Sequence, residues 1–206
     1  MASANRYPVP AARVRVEDRI QNSRFIATLA RAASPDEARG LVDELRAEFP
    51  DANHHCFAFL SGPPGSTGAM GSSDDGEPGG TAGRPMLSVL LNSGLGDVVV
   101  VVTRYFGGVK LGTGGLVRAY SGAVQHALRA VETVERVEMV TVRVTFPYPQ
   151  TDTVRRLLDR VGAVITSEEF GGEASLLMRI AEDRREEIAR ALLDATAGTA
   201  RVTGAE

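Results

Sequence analysis

The spacing of hydrophobic residues predicts alternating strands and helices in the first part of the chain. Strands are predicted at Val14–Val16 and Arg24–Leu29, where apolar side chains recur with the short period of a strand. Ser34, Pro35 and Glu37 form a capping box with proline at the first helical position, so a helix is predicted to begin there. Its apolar positions lie three and four residues apart and predict one buried face.

The middle of the chain combines apolar runs with dense glycine. His55–Leu60 predicts a strand, and Val98–Val102, apolar at every position, is typical of a central strand covered on both faces. Between them, Gly62–Gly80 holds seven glycines and three prolines, which predicts a mobile loop without regular structure. A short helix is predicted at Pro85–Leu91. A longer helix follows the last glycines, and its predicted buried stripe is Val117, Tyr120, Val124, Leu128 and Val131.

The residues after Met139 follow a second pattern. Their predicted strands and helices are, in order, strand Val140–Phe146, helix Thr151–Val161, strand Ala163–Glu169, strand Ala174–Ile180, helix Asp183–Ala195 and a final strand near Thr199–Val202. This β-α-β-β-α-β order is the split arrangement of ferredoxin-like domains. We therefore predict an α+β fold with two domains, 1–138 and 139–206.

Composition and charge narrow the functional classes. The 206 residues carry a formal net charge of −3, which argues against a broad basic surface that coats nucleic acid, and nothing predicts readout of a DNA sequence. No apolar run reaches the ~18–20 residues that cross a bilayer. The N-terminus lacks the apolar core of a signal peptide, so a cytoplasmic protein without a membrane partner is expected. The single cysteine, Cys56, excludes an intrachain disulfide and a cysteine-only zinc site.

Three carboxylates lie close together in a glycine-rich segment. Oxygen ligands such as those of Asp74, Asp75 and Glu77 suit Mg²⁺, although their spacing is not that of an EF-hand. The alternatives are a solvated acidic loop and ion pairs with one of the nearby cations, Arg84, Arg104 and Lys110.

The glycine-rich turn after the apolar strand is a candidate anion site. Backbone N–H groups at a helix N-terminus attract an anion, and glycines let a phosphate approach the main chain. Arg104, Lys110 and Arg118 add positive charge. The segment is not a P-loop, because Leu111 stands where Ser or Thr is needed, and it is not a dinucleotide fingerprint. The alternative is a tight connection in which glycine permits close packing.

His54, His55 and Cys56 are three metal-capable residues in a row. Strand alternation directs His54 and Cys56 to one face and His55 to the other, and the remaining histidine, His126, is distant in the sequence. We therefore expect Cys56 to be a small buried hydrophobe, while a Cys–His nucleophile pair stays as the alternative. These residues predict no metal site, no catalytic set and no cofactor.

Two long motifs in a fixed order resemble a known family. SDDGEPGGTAGRPML (Ser73–Leu87), followed by DVVVVVTRYFGGVKLGTGGLVRAYSGAV (Asp97–Val124), is similar to the signature of the YigZ/IMPACT family. SRFIA (Ser23–Ala27) and HHCFAF (His54–Phe59) lie upstream at the expected distances. The resemblance covers residues ~10–135. The chain after Met139 is similar, by its order of elements, to the small C-terminal domain of bacterial members.

The resemblance implies an N-terminal domain with the fold of the second domain of a small-subunit ribosomal protein, and a ferredoxin-like C-terminal domain. It also implies a non-enzymatic role in regulating translation, in which the chain binds RNA or a ribosome-associated factor, or another protein partner. The alternative is a nucleotide- or phosphate-binding enzyme that uses the glycine-rich turn and Mg²⁺. The implied binding residues are Asp74, Asp75, Gly76, Glu77, Thr81, Gly83, Arg84, Arg104, Phe106, Gly107, Gly108, Lys110, Gly112, Gly114, Gly115 and Arg118.

Overall fold

The computed structural model describes residues 6–66 and 68–204. The chain divides into two compact units, one ending at Arg136 and one beginning at Val137. Each unit contains strands, helices and its own hydrophobic core, so the predicted two-domain α+β fold is confirmed. No helix in the described ranges is long and apolar enough to cross a membrane.

Seven strands and three helices lie in the described residues up to Val137. In order they are β1 (Arg6–Pro10), β2 (Val14–Ile20), β3 (Ser23–Arg31), α1 (Pro35–Glu48), β4 (His54–Ser61), β5 (Ala69–Ser73), α2 (Gly83–Leu91), β6 (Val98–Tyr105), α3 (Gly112–Ala130) and β7 (Thr133–Val137). Five of the strands form an antiparallel sheet in the order β2-β3-β6-β4-β5, and β1 pairs with β7.

Strand β6 lies at the centre of the five-stranded sheet and is covered on both faces, as its continuous apolar run predicts. Val98, Val100 and Val102 pack in the core formed with α2 and α3. Val99 and Val101 pack in the separate core formed with α1. All five side chains are fully buried, which explains why no polar residue interrupts the run.

Helix α1 begins as its sequence predicts. The Ser34 hydroxyl accepts a hydrogen bond from the Glu37 N–H at 3.2 Å, and the Glu37 carboxylate accepts one from the Ala33 N–H at 2.8 Å. Helix α3 differs from the prediction at Val117, which is 36% exposed, whereas Leu116 is buried at 6%. The buried face of α3 includes the small residue Ala119, so it lies further round the helix than the large apolar residues alone indicate.

The prediction of a mobile loop over Gly62–Gly80 is wrong for part of that segment. Residues 69–73 form β5, which pairs with β4 in the register Phe59↔Gly71. A Cβ atom on Gly71 would lie 2.6 Å from the Phe59 ring, so glycine is the residue that lets the strand pass over this ring. Thr67, which belongs to the same predicted loop, lies outside the described residues.

The second unit has the predicted β-α-β-β-α-β order. Its elements are β8 (Met139–Phe146), α4 (Thr151–Val161), β9 (Val164–Phe170), β10 (Ala174–Ala181), α5 (Arg185–Ala195) and β11 (Arg201–Gly204). The sheet order β11-β8-β10-β9 places the first and third strands of the unit at its centre, as in ferredoxin-like folds. Val144, Phe146 and Leu158 are fully buried in its core.

Candidate functional site

A cleft with a volume of about 310 Å³ lies where β6 ends and α3 begins. Its lining residues come from three segments: the loop before α2, the end of β6, and the turn leading into α3. They include Glu77, Arg104, Phe106, Lys110 and Thr113, together with the apolar side chains Leu111 and Leu116. The cleft therefore combines apolar wall with a small number of charged groups.

A buried ion pair forms one wall of this cleft. Arg104 lies on central strand β6, opposite Phe25 on one neighbouring strand and His54 on the other. Its guanidinium donates from Nη1 to Glu77 Oε1 at 2.5 Å and from Nη2 to the Ser23 hydroxyl at 3.3 Å. The two paired side chains are only 5% and 3% exposed. The pair therefore neutralises two charges that water does not reach.

Tyr120 of α3 completes this buried network. Its hydroxyl donates to Glu77 Oε1 at 2.7 Å and lies 3.3 Å from Cys56 Sγ. Burial raises the pKa of Tyr120 above its ordinary value, so the hydroxyl stays protonated and serves as a donor.

Cys56 is buried and protonated. Its thiol donates to the Asp74 carbonyl oxygen at 2.9 Å, and burial raises its pKa to about 12. A thiol held in this state is a poor nucleophile. The structure therefore favours the packing role predicted for Cys56 over the Cys–His nucleophile pair.

Asp74 stabilises the start of α2 from a distance. Its carboxylate accepts hydrogen bonds from the N–H groups of Gly80 at 2.7 Å, Ala82 at 2.9 Å and Gly83 at 2.8 Å. Burial raises the pKa of Asp74, but these three donors and the charge of Arg84 outweigh burial, so the pKa lies below its ordinary value. Helix α2 has no cap from its own N-cap residue, Ala82, and Asp74 takes that function.

Asp75 joins the acidic segment to α1 and β4. Its carboxylate accepts from Arg46 Nη2 at 2.7 Å and from the His55 N–H at 2.6 Å. Its carbonyl oxygen lies 2.8 Å from His54 Nδ1, so this ring nitrogen is the protonated one. His54 Nε2 lies 3.9 Å from Glu77 Oε1.

The three predicted acidic residues thus have three different sets of partners. Asp74 binds backbone N–H groups, Asp75 binds Arg46 and Glu77 binds Arg104. Within the described residues, no group of three or more His, Cys, Asp or Glu side chains is arranged to hold a metal ion. In this arrangement the three carboxylates do not converge on one point, as the ligands of a Mg²⁺ ion would.

The N-terminus of α3 presents an uncapped first turn to the cleft. No side chain caps it and no acidic residue lies in its first turn. Gly112 and Thr113 line the cleft, and Gly112 has a left-handed φ of +70°. The Arg118 guanidinium extends back to this end of the helix, because its Nη1 lies 3.7 Å from the position of a Cβ on Gly114. Among the described residues, neither Lys110 nor Arg118 forms an ion pair within 4.0 Å.

The turn before α3 depends on close backbone contact at Gly107. Its N–H donates to the Ser23 hydroxyl at 3.2 Å, and a Cβ there would lie 2.1 Å from the backbone carbon of Asn22. Gly108 has a φ of +84° but open space around it. The interpretation of this turn as a tight connection therefore holds at Gly107. Gly112 and Gly114 are exposed, so they leave the backbone at the start of α3 accessible.

The implied binding residues divide into five groups by position. Those that line the cleft are Glu77, Arg104, Phe106, Lys110 and Gly112. Those that hold the loop and α2 together are Asp74, Asp75, Gly76, Thr81 and Gly83. Gly107 and Gly108 shape the turn, and Gly114, Gly115 and Arg118 lie in the first two turns of α3. Arg84 is exposed at the start of α2, outside the cleft lining.

The sequence offered two roles for Arg104, a phosphate ligand or an ion-pair partner of the acidic residues, and the structure pairs it with Glu77. The contacts of Ser23 with Arg104 and of Tyr120 with Glu77 were not predicted. Ser23 and Tyr120 both lie inside the quoted motifs, so the motifs contained the signal, although helical periodicity alone marked Tyr120 as core. Arg46 lies on α1, outside every motif, and only the fold brings it to Asp75.

The fold and the cleft define a two-domain α+β protein with a small glycine-bordered site in its N-terminal domain. The Impact N-terminal domain model matches residues 21–128, and the model of a domain of unknown function, DUF1949, matches residues 144–199. This chain belongs to the IMPACT family.

Curated relatives and a solved structure agree with this assignment. The IMPACT family member YigZ of Escherichia coli K12 is 43% identical over 173 residues, 84% of each chain. An IMPACT family member of Haemophilus influenzae is 40% identical over 192 residues, 93% of each chain. The Protein IMPACT homolog of Saccharomyces cerevisiae is 32% identical over 113 residues, 53% of this chain and 43% of that protein. A crystal structure of a hypothetical protein matches with a TM-score of 0.72 and 38% identity, covering 98% of each chain.

Proposed function

We propose that this chain is a non-enzymatic, translation-associated protein of the cytoplasm that binds RNA through phosphate groups at the cleft before α3. The observation that carries the proposal is the uncapped first turn of α3, which borders the cleft with no acidic residue in that turn. N–H groups at such a helix end bind phosphate, and the helix dipole favours the negative charge.

Two cations support the same site. Lys110 lines the cleft, and Arg118 reaches back along α3 to Gly114. Both are exposed, unlike Arg104, whose charge is already balanced by Glu77. Contacts of this type bind the RNA backbone and do not distinguish bases. The IMPACT relatives, including the yeast homologue, fit a translation-related role.

A variant that introduces one negative charge tests the site without damaging the fold. Thr113→Glu places a carboxylate in the first turn of α3, where it favours the helix by about 0.3–1 kcal/mol and competes with an incoming phosphate. We expect its melting temperature to be equal or higher while its affinity for single-stranded RNA, measured by fluorescence anisotropy, falls at least about tenfold. The matched control is Gln125→Glu, which makes the same charge change at an exposed position further along α3.

A salt titration provides the second measurement. Lys110→Gln removes one phosphate contact, so the slope of log affinity against log salt falls by about 0.7 for a single strand. Equal affinities for wild type and Thr113→Glu contradict the proposed site. Binding to ribosomes without binding to RNA indicates a protein partner instead of RNA.

A further inference from the structure

We infer that the cleft holds one phosphorylated terminal nucleotide of an RNA single strand, with its phosphate at the N-terminus of α3 and its base against Phe106. This inference rests on the proposed function and specifies its ligand. The cleft volume of about 310 Å³ lies at the lower end of the range for small-molecule sites, which is ~300–1,000 Å³. A site of this size suits one nucleotide.

The walls of the cleft differ in chemistry. Lys110 and the first residues of α3 offer positive charge and N–H donors to the cleft. Phe106, Leu111 and Leu116 provide apolar surface in the same cleft. A ligand that satisfies both must carry an anionic group beside a planar apolar group, and a nucleotide has these two parts.

Phe106 has the properties of a stacking platform. It is 46% exposed, although it is a large aromatic residue in a folded domain. The Arg104 guanidinium lies 5.6 Å from the centroid of the Phe106 ring. The backbone N–H of Phe106 donates to Asn53 Oδ1 at 2.7 Å. The residue is therefore held in place, while part of its ring remains open for a base. Stacking of this kind tolerates every base.

Arg104 holds the wall of the cleft rigid independently of the helix end. Its side chain lines the cleft and is only 5% exposed, and its guanidinium is fixed by hydrogen bonds to Glu77 and Ser23. A wall that is already ordered loses little conformational freedom when a ligand binds.

The number of donors favours a terminal phosphate. The first turn of α3 and Lys110 bring several donors to the cleft, and the Arg118 guanidinium lies near Gly114 in that turn. A phosphate monoester offers three unesterified oxygens and up to two charges, whereas an internal diester offers two such oxygens and one charge. The end of a strand therefore satisfies this site better than its middle.

Defined RNA octamers test the inference. We compare octamers of one sequence that carry a 5′-phosphate, a 3′-phosphate or hydroxyls at both ends, by anisotropy at constant salt. One of the two phosphorylated octamers is expected to bind at least about tenfold more tightly than the hydroxyl-terminated octamer. Phe106→Ala is expected to weaken that binding by about fivefold or more through loss of stacking. The control Phe170→Ala removes an aromatic residue that is 58% exposed in the second unit.

The outcomes separate the inference from the proposed function. If all three octamers bind equally and Thr113→Glu abolishes binding, phosphate binding stands and the terminal-nucleotide inference is overturned. If inorganic phosphate competes as well as CMP does, the cleft is an anion site only, which also overturns it. If no octamer binds, both proposals fail.

Discussion

Replacing Arg104 with methionine tests whether this residue is a structural element of the first unit. Methionine keeps much of the side-chain volume but leaves Glu77 without its cation. Removal of one partner from a buried ion pair costs about 3–5 kcal/mol, because the other charge stays buried and unpaired. The exposures of 5% and 3% place this pair in that class.

The expected loss is large enough to measure by two methods. For a unit of this size, 1 kcal/mol corresponds to roughly 3–4 °C in melting temperature, so Arg104→Met should lower it by roughly 9–20 °C. Urea unfolding of the full chain, followed by far-UV circular dichroism and by the amide resonances of β6, gives the change in free energy. The β6 resonances report on the first unit alone.

A double-mutant cycle with Glu77→Gln isolates the pair. Glutamine keeps an acceptor for the Tyr120 hydroxyl, which lies 2.7 Å from Glu77 Oε1. The double variant has no unpaired buried charge, so it should be more stable than the sum of the single losses by about 2 kcal/mol. Additive losses within ~0.5 kcal/mol, or an Arg104→Met variant as stable as wild type, would refute this reasoning.

Three further outcomes are expected. The pKa of Asp74 is lowered in the folded state, so its contribution is complete above the unfolded pKa near 3.8 and is lost as the pH falls through the folded pKa. The stability advantage of wild type over Asp74→Asn, about 1 kcal/mol at pH 7, should therefore shrink in urea titrations below about pH 4; a constant advantage down to pH 2 contradicts this. Gly107→Ala should lower the melting temperature more than Gly108→Ala, because only the Gly107 Cβ meets backbone, at 2.1 Å; equal shifts would disprove the packing argument. Leu158→Ala should destabilise the second unit by about 2–5 kcal/mol and leave hydrogen exchange in β6 unchanged; coupled loss of protection in both units would show that they do not unfold separately.

The sequence predicts the fold well where one physical signal dominates. The apolar run of β6, the capping box of α1 and the order of elements after Met139 each reflect local periodicity or local hydrogen bonding, and each is present as predicted. The loop prediction for Gly62–Gly80 failed in part because glycine has two uses. Its frequency indicates a loop, but at Gly71 it lets β5 pass over the Phe59 ring, and this use depends on a residue distant in the sequence.

The sequence predicted which residues form the candidate site better than it predicted the role of each residue. The motifs placed Glu77, Arg104 and Lys110 near one another, and all three line the same cleft. Charge alone does not distinguish a cation that is buried and paired from one that is exposed. Arg104 is buried because it lies on the central strand, whereas Lys110 is exposed in the turn. That distinction requires the sheet order, which no local pattern contains.

The most direct test of the account is an NMR titration of the ¹⁵N-labelled full chain with single-stranded RNA. If phosphate binds at the N-terminus of α3, the amide resonances of Gly112, Thr113 and Gly114 shift saturably, and the shifts weaken as salt is added. The strands β8 and β10 of the second unit, whose only aromatic residue is the buried Phe146, stay unperturbed. Saturable shifts confined to the second unit, with the α3 amides unchanged at full RNA occupancy, would contradict the account.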